Sequence, residues 1–552
     1  MTPPSPAALR GADLLVQALQ RAGVRCVFSL SGNHIMPVYD ALIGSGIRLV
    51  HTRHEAAAVH MADAWGRLTG EPGVALVTGG PGHANAVSAL YTALMADAPL
   101  VLLSGHAPLS QLGMGPFQEM RQADMAAPVC KAAWTCTSTA AVADDCLRAL
   151  SAARSGRPGP VHLSLPSDVL EGRVASPELP APPAGAAQAL PLSTADARST
   201  LQWLRGASRP LILAGPQALT RRGRAAADAL QAATGVPVVG MESPRGVADP
   251  SLGAFAEVLA RADAVLLLAK RLDFTLKFGQ APLGPQVRHA QIDADEAEIG
   301  RTRRAVGTRL ERAARADYAS ACGALVAACE APFGAPAWRD EVRQAIAWRP
   351  ASWQQPLPSS PGLLHPLQAL QPLQALLDRH PDAVLVCDGG EVGQWAQACL
   401  HAPQRVLNGV AGSIGSALPF ALAARCALPP EVPVVAVSGD GSIGFHLAEF
   451  DTGVRHALPV VVVVGNDARW NAEHQIQLKD YGADRTFGCE LAPTRYDRAA
   501  AGLGAHGECV QQAGELPAAL QRALDSGLPA CVNVMIDGLA APQFRRPAPA
   551  GA

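Results

Sequence analysis

Two apolar runs, Val432–Val437 and Pro459–Val464, bracket the segment that most limits what this chain can become. Each is short and nearly continuous, the pattern of a parallel strand buried on both faces. Gly439-Asp440-Gly441-Ser442 follows the first run, and Gly465-Asn466-Asp467 follows the second, with a helix-like segment between them. Two strand ends therefore deliver oxygen side chains to one edge of a parallel sheet, where open α/β sheets hold their ligands. Hard oxygen donors with little charge suit Mg²⁺, which keeps its other positions for phosphate oxygens. Gly439 and Gly441 allow a phosphate to approach the backbone, and a helix start just beyond favours its charge.

Similar strands recur along the chain. Runs starting at Cys26, Gly73 and Pro99 mark a first block, and runs from Pro210, Val236, Ala264 and Ala290 a second. Runs from Ala383, Val432, Pro459 and Ala530 mark a third. Helical stretches alternate with them, as in parallel α/β sheets. Two Pro/Ala/Ser-rich segments without periodicity, 176–193 and 350–366, read as extended linkers. The expectation is an α/β protein of three doubly wound parallel-sheet domains, over residues 1–175, 194–349 and 367–552.

Composition removes several function classes. With 49% hydrophobic and 17% charged residues the chain is globular, and its net charge of −2 offers nothing to nucleic acid or an anionic membrane. The twelve cysteines form no CxxC pair and no zinc-spaced cluster, so they read as thiols of a reducing compartment. No signal core is visible, and no run approaches the roughly 18 apolar residues of a membrane span. A cytoplasmic protein is expected.

The Gly-Asp-Gly triplet, the spacing and both strands resemble the thiamine-diphosphate signature of the acetolactate synthase-like family. That group includes benzaldehyde lyase and the 2-hydroxyacyl-CoA lyases. The resemblance runs from about Gly11 to about Asp537. It implies a pyrimidine-binding, a central and a diphosphate-binding domain in that order, with thiamine diphosphate and Mg²⁺ as cofactors. It makes Gly439, Asp440, Gly441 and Ser442 cofactor-binding, and Asp440 and Asp467 metal ligands, with the Arg469 carbonyl as a third. Asp467 stands 27 positions after Asp440, where most relatives carry the second Asn of an Asn-Asn pair; Asn466 is the alternative ligand.

Arg53-His54-Glu55-Ala56-Ala57 matches the family's catalytic glutamate motif. A carboxyl there stabilises the imino form of the cofactor's aminopyrimidine, which removes the thiazolium proton. Glu55 and Asp440 lie in different blocks, and in relatives two subunits contribute them, so the resemblance implies a homodimer or homotetramer with active sites between subunits. Gly82, in GGPGHAN, falls in the loop beside the pyrimidine, with His83 where relatives have a small residue. Gly412 would accept from the cofactor's amino group, and Ile414 would wedge its bent shape. Gly393 and Gln394 fall in a loop near the diphosphate.

Gln118, in the Phe-Gln pair of GPFQE, is placed on a substrate oxygen. His34 stands where benzaldehyde lyase has a catalytic histidine, and Glu473 where pyruvate decarboxylases have an acidic proton donor. The expected reaction makes or breaks the C–C bond next to a carbonyl of a small molecule: a 2-oxo acid, a 2-hydroxy ketone or a 2-hydroxyacyl-CoA. Lys270–Phe274 (KRLDF) partly matches the flavin motif of some acetolactate synthases, leaving room for FAD without leading one to expect it. Two other classes stay open at this point: a nucleotide-binding oxidoreductase, although no G-x-G-x-x-G follows any strand, and a non-catalytic cofactor-binding relative.

Overall fold

The computed structural model describes residues 8–175, 189–354 and 360–546. The chain forms two compact units, one running to Gln188 and taking in Leu422–Ala427, the other comprising Ala189–Ala421 and Leu428–Ala552.

The first unit is built on six parallel strands in the order Arg48–His51, Cys26–Ser29, Gly73–Val77, Leu100–His106, Pro160–Pro166, Ala132–Thr135. Val74, Leu76, Val101, Leu103, Val161 and Leu163 form the sheet's side of one core, which the helices Gly11–Arg21 and Val142–Arg154 close. Helix Glu55–Thr69 covers the other face. It lies so close that a Cβ on Gly73 would collide with the Ala62 carbonyl. The strand order reverses between Cys26–Ser29 and Gly73–Val77, which opens a crevice where the loops after them diverge.

The second unit carries two parallel sheets. One has five strands, in the order Val238–Gly240, Pro210–Ala214, Ala264–Leu268, Arg288–Asp293, Leu310–Arg315. The other has six, in the order Gln404–Leu407, Val384–Cys387, Val434–Gly439, Val461–Asn466, Ala530–Met535, His506–Val510. Its order reverses between Val384–Cys387 and Val434–Gly439. The three doubly wound sheets expected from the sequence are present.

Two local readings need revision. The helix expected after Gly439 is broken into a single turn, Asp440–Ile443, a 3₁₀ turn, Gly444–His446, and helix Glu449–Arg455. The segment read as a linker at 350–366 is not extended throughout. Ala351–Gln354 makes a 3₁₀ turn whose Trp353 packs on Trp395 and Phe544, at 5.5 Å between ring centroids in each case. Aromatic burial overrides the Pro/Ser-rich composition there, and Pro366 begins helix Pro366–Arg379. Residues 355–359 and most of 176–193 lie outside the described residues. All twelve cysteines are free thiols, and among the described residues no helix is long and apolar enough to cross a membrane.

Helix Glu55–Thr69 carries a buried ion pair, with Arg67 Nε and Nη2 each donating at 2.6 Å to the two oxygens of Asp63, which is wholly buried. Burial pushes the Asp63 carboxyl up more than Arg67 pulls it down. Removing one partner of such a pair leaves an uncompensated charge, so Arg67→Met should destabilise the protein by about 3–5 kcal/mol. A carboxyl whose pKa is raised in the folded state favours folding at lower pH, so the variant should melt at higher temperature at pH 5 than at pH 8. Thermal unfolding at the two pH values checks this.

Candidate active site

In the first unit, the loops at the switch point gather most of the residues singled out there. His54 caps helix Glu55–Thr69, its Nδ1 accepting from Ala56 N at 3.1 Å, which sets Glu55 at the helix start on the sheet edge. Glu55 is buried, and Asn85 Nδ2 donates to its Oε2 at 3.1 Å. Gly82 faces it: an added Cβ would stand 3.3 Å from Glu55 Oε1 and 2.7 Å from Thr78 Cγ2. The Gly79–Gly82 turn is held by the buried Gln122, which accepts from Gly80 N at 2.8 Å and donates to Gly105 O at 3.0 Å.

His34 lies beside the same turn, with Nδ1 at 3.2 Å from Thr78 Oγ1 and its ring stacked on Phe117 at 6.1 Å. Burial lowers its pKa, so it is a neutral ring able to donate or accept. Gln118, with φ of 59°, packs over Gly80, whose added Cβ would be 2.7 Å from the Gln118 Cβ. His83 turns away from this group. It is fully buried, 2.9 Å from Ser104 Oγ and against His162 at 4.5 Å, and burial lowers its pKa to about 4. It is a neutral packing residue.

In the second unit the switch point opens into a cavity of about 310 Å³. Gln394, Gly412, Ile414, Gly439, Asp440, Gly441, Ser442, Asp467, Arg469 and Glu473 all line it. Gly393 does not: it lies underneath, where a Cβ would collide with the Asp388 carbonyl. Glycines keep the floor clear, since a Cβ on Gly441 would reach 2.6 Å from the Trp470 ring and one on Gly465 2.5 Å from Val392. Asn408 also lines the cavity, and its buried Oδ1 has no hydrogen-bond partner while its Nδ2 donates to Ser413 O at 2.9 Å.

Asp440 and Asp467 come together across the sheet edge. Burial pushes Asp440 up to about 6; burial and then the charge of Asp440 push Asp467 up to about 7. Two facing carboxylates in a buried recess fit a divalent cation, and both are oxygen donors of the type Mg²⁺ prefers. The Arg469 backbone N–H donates to Asp440 Oδ2 at 3.2 Å. Asn466 is turned inward and fully occupied: its Nδ2 donates to Thr494 O at 2.9 Å and to Asn533 Oδ1 at 3.1 Å, and its Oδ1 accepts from Ala468 N at 3.2 Å.

Several residues were not singled out by the sequence reading: Arg245 here, Thr78 and Gln122 in the first unit, and Asp388 and Glu391, which it included only within DGGEVGQW, Asp388–Trp395, as a loop near the diphosphate. Asp388 carried a usable signal, since it ends a strand at the head of DGGEVGQW. The fully buried Asp388 carboxylate accepts from Gly389 N at 2.8 Å, Gly415 N at 2.9 Å, Ala417 N at 3.4 Å and Ser438 Oγ at 3.0 Å. Burial outweighs these four donors and raises its pKa to about 6. Lys270, Arg271 and Asp273, read from the partial flavin motif, turn into the central sheet's own structure. Lys270 Nζ donates to Thr275 Oγ1 at 2.6 Å, and Arg271 Nε pairs with Glu298 at 3.3 Å.

Asp388→Asn replaces an acceptor-only group by one with two donors facing N–H groups. Leaving buried donors unpaired costs about 1–3 kcal/mol, so thiamine diphosphate affinity should fall about 5- to 150-fold. Calorimetry on the variant checks this, and unchanged affinity would remove Asp388 from the site's support.

Comparison with known proteins agrees with this geometry. Residues 9–125, 197–316 and 388–534 match the thiamine pyrophosphate enzyme N-terminal TPP binding domain, central domain and C-terminal TPP binding domain. A probable acetolactate synthase of Mycobacterium bovis is 36% identical over 545 residues, covering 95% of each chain. The 2-hydroxyacyl-CoA lyase 2 of Homo sapiens is 34% identical over 584 residues, covering 95% of this chain and 90% of its own. An acetolactate synthase large subunit of Parasynechococcus marenigrum is 29% identical over 489 residues, covering 84% and 77%. These matches set aside the oxidoreductase and non-catalytic readings. The chain therefore belongs to the thiamine pyrophosphate enzyme family, as a thiamine-diphosphate-dependent lyase or carboligase of the acetolactate synthase-like group.

Proposed function

We propose that the second unit's cavity holds the diphosphate of the cofactor through Mg²⁺ bound by Asp440, Asp467 and the Arg469 carbonyl. The observation that carries this is the facing of Asp440 and Asp467 at the cavity floor, while the Asn466 amide is engaged elsewhere. The cofactor, when bound, supplies a nucleophilic thiazolium carbon that adds to carbonyl groups. Glu55, kept in place by Asn85, holds and exchanges a proton at the pyrimidine. The Gly412 carbonyl would accept from the pyrimidine's amino group, and Ile414 would be the apolar wedge that holds the cofactor's bent shape. Gln118 orients a substrate oxygen, and His34 and Glu473 carry protons to and from substrate oxygens.

The substrate of this reading is a small carbonyl compound: a 2-oxo acid, a 2-hydroxy ketone or a 2-hydroxyacyl-CoA. The relatives named acetolactate synthase and 2-hydroxyacyl-CoA lyase support that set. The active site forms between subunits of a homodimer or homotetramer in the cytoplasm.

If Asp467 is the ligand, Asp467→Ala should weaken Mg²⁺-dependent thiamine diphosphate binding more than Asn466→Ala, and the reverse order would reassign the ligand. Because carboxylates raised to about 6 and 7 must lose their protons to bind a cation, Mg²⁺-dependent affinity should fall as pH drops through 7 to 6. Asp467→Asn should stay active and flatten that dependence. Calorimetry at pH 6 and pH 8 measures both effects. Glu55→Gln should slow turnover by about 10²–10⁴-fold while cofactor affinity is largely kept. Exchange of the thiazolium proton for deuterium should slow in parallel, and an unchanged exchange rate would remove Glu55 from the mechanism.

A further inference from the structure

Among the described residues lining the cavity of the second unit, two are cationic, Arg469 and Arg245. Arg469 lies beside Asp440 and Asp467: its N–H donates to Asp440, and its charge acts on Asp467. The central-sheet loop Ser243-Pro244-Arg245 forms another part of the lining, together with Glu391 and Glu473. Arg245 is set by the turn after Ser243, whose Oγ accepts from Arg245 N at 3.2 Å. Its side chain is 43% exposed, and its ion pair with Glu391 is long, 3.5 Å from Nη2 to Oε1. Glu391 is 8% exposed and held from its other oxygen by the Ala541 N–H. It also feels the negative charge of Glu473.

A guanidinium in this setting has a fixed loop beneath it, one loose partner and donors to spare. Five N–H groups in a planar fork match a carboxylate in two parallel hydrogen bonds, a geometry the 3.5 Å contact does not use. Arg245 is also the cation lining the cavity that is not beside the proposed metal ligands. A substrate carboxylate arriving here exchanges a long, single-atom contact for a bidentate one. A 2-oxo acid carries such a carboxylate bonded directly to its reactive carbonyl carbon. A 2-hydroxy ketone has none, and a 2-hydroxyacyl-CoA has a neutral thioester at that position with its charges at the far end of a long arm.

We propose that Arg245 is a specificity-determining residue that binds the carboxylate of a 2-oxo acid in this cavity, with Glu391 as the group it leaves on binding. The inference rests on the thiamine diphosphate reading above and adds the substrate class to it.

The test uses the full chain loaded with thiamine diphosphate and Mg²⁺, and oxamate as an unreactive 2-oxo acid mimic. Calorimetry should show oxamate binding to the wild type, at least about tenfold weaker binding to Arg245→Gln, and partial recovery in Arg245→Lys. In turnover, Arg245→Gln should raise KM for pyruvate by a similar factor with little change in kcat, and leave KM for the neutral acetoin in place. Glu391→Gln, which removes the competing charge, should tighten oxamate binding, and it carries the test if the Arg245 variants do not fold.

No oxamate binding by the loaded wild type would overturn the inference. So would equal KM shifts for pyruvate and acetoin, or a preference for a short 2-hydroxyacyl-CoA that Arg245→Gln leaves unchanged. Failure of the underlying reading looks different: a wild type that binds no thiamine diphosphate, or binds it and turns over none of the three substrate types.

Discussion

The Asp388 carboxylate is the interaction on which the second unit's cavity depends. It takes hydrogen bonds from the start of one loop (Gly389), from the loop after a second strand (Gly415, Ala417) and from the end of a third strand (Ser438). These segments carry Gln394, Ile414 and Asp440 to one place. Because the strand order reverses between Val384–Cys387 and Val434–Gly439, nothing in the sheet's own hydrogen bonding ties the diverging loops together. A buried acceptor with two oxygens does so, and it is worth its desolvation only because every lone pair it turns inward meets a donor. The first unit solves the same problem differently: the neutral amide of Gln122 ties the Gly79–Gly82 turn to the strand Leu100–His106, without bringing a charge next to Glu55.

Charge is thus placed sparingly. Beside Glu55 in the first unit stand the amide of Asn85 and the hydroxyl of Thr78, and burial lowers the pKa of the nearby His34. His83 and His162 pack against each other as tilted, uncharged rings, because burial makes a second proton too costly on either. In the second unit Asp440 and Asp467 line one cavity, where burial raises both pKa values and the charge of Asp440 raises that of Asp467 further. Such a pair is poorly suited to structure and well suited to a cation.

Most of the strands were legible because parallel strands in doubly covered sheets must be apolar on both faces, which leaves runs such as Val461–Val464 in plain view. Edge strands were not. Leu310–Arg315 is half exposed along its length and reads LERAAR, a helix-like composition held extended only by its neighbour Arg288–Asp293. The convergence of Asp440 and Asp467 on one cavity was legible because both follow strand ends of one parallel sheet, and the helix start at Glu55 because a helix-like run of small residues follows a strand there. The site was not legible where a residue acts through tertiary contacts. Arg245 is one arginine among many in the sequence, and only the fold brings it to the cavity of a different sheet. His83 shows the opposite case, a titratable residue in the Gly79–Asn85 loop whose side chain packs into the core.

The Asn466-Asp467 pair shows how such a departure from the family pattern can be accommodated. Asn466 closes a small network with Thr494 and Asn533 beneath the sheet edge, a role that needs both a donor and an acceptor and that a carboxylate could not fill. The next position, one residue on, lines the cavity, so its charge faces the cavity and not the core. If a divalent ion sits there as proposed, a carboxylate at 467 would attract it more strongly than an amide, at the cost of needing a higher pH to bind it. Without the ion, two carboxylates would repel a diphosphate at 332/(ε·r) kcal/mol per pair of unit charges. On that reading cation and cofactor affinities would be coupled, each binding tightly only in the presence of the other.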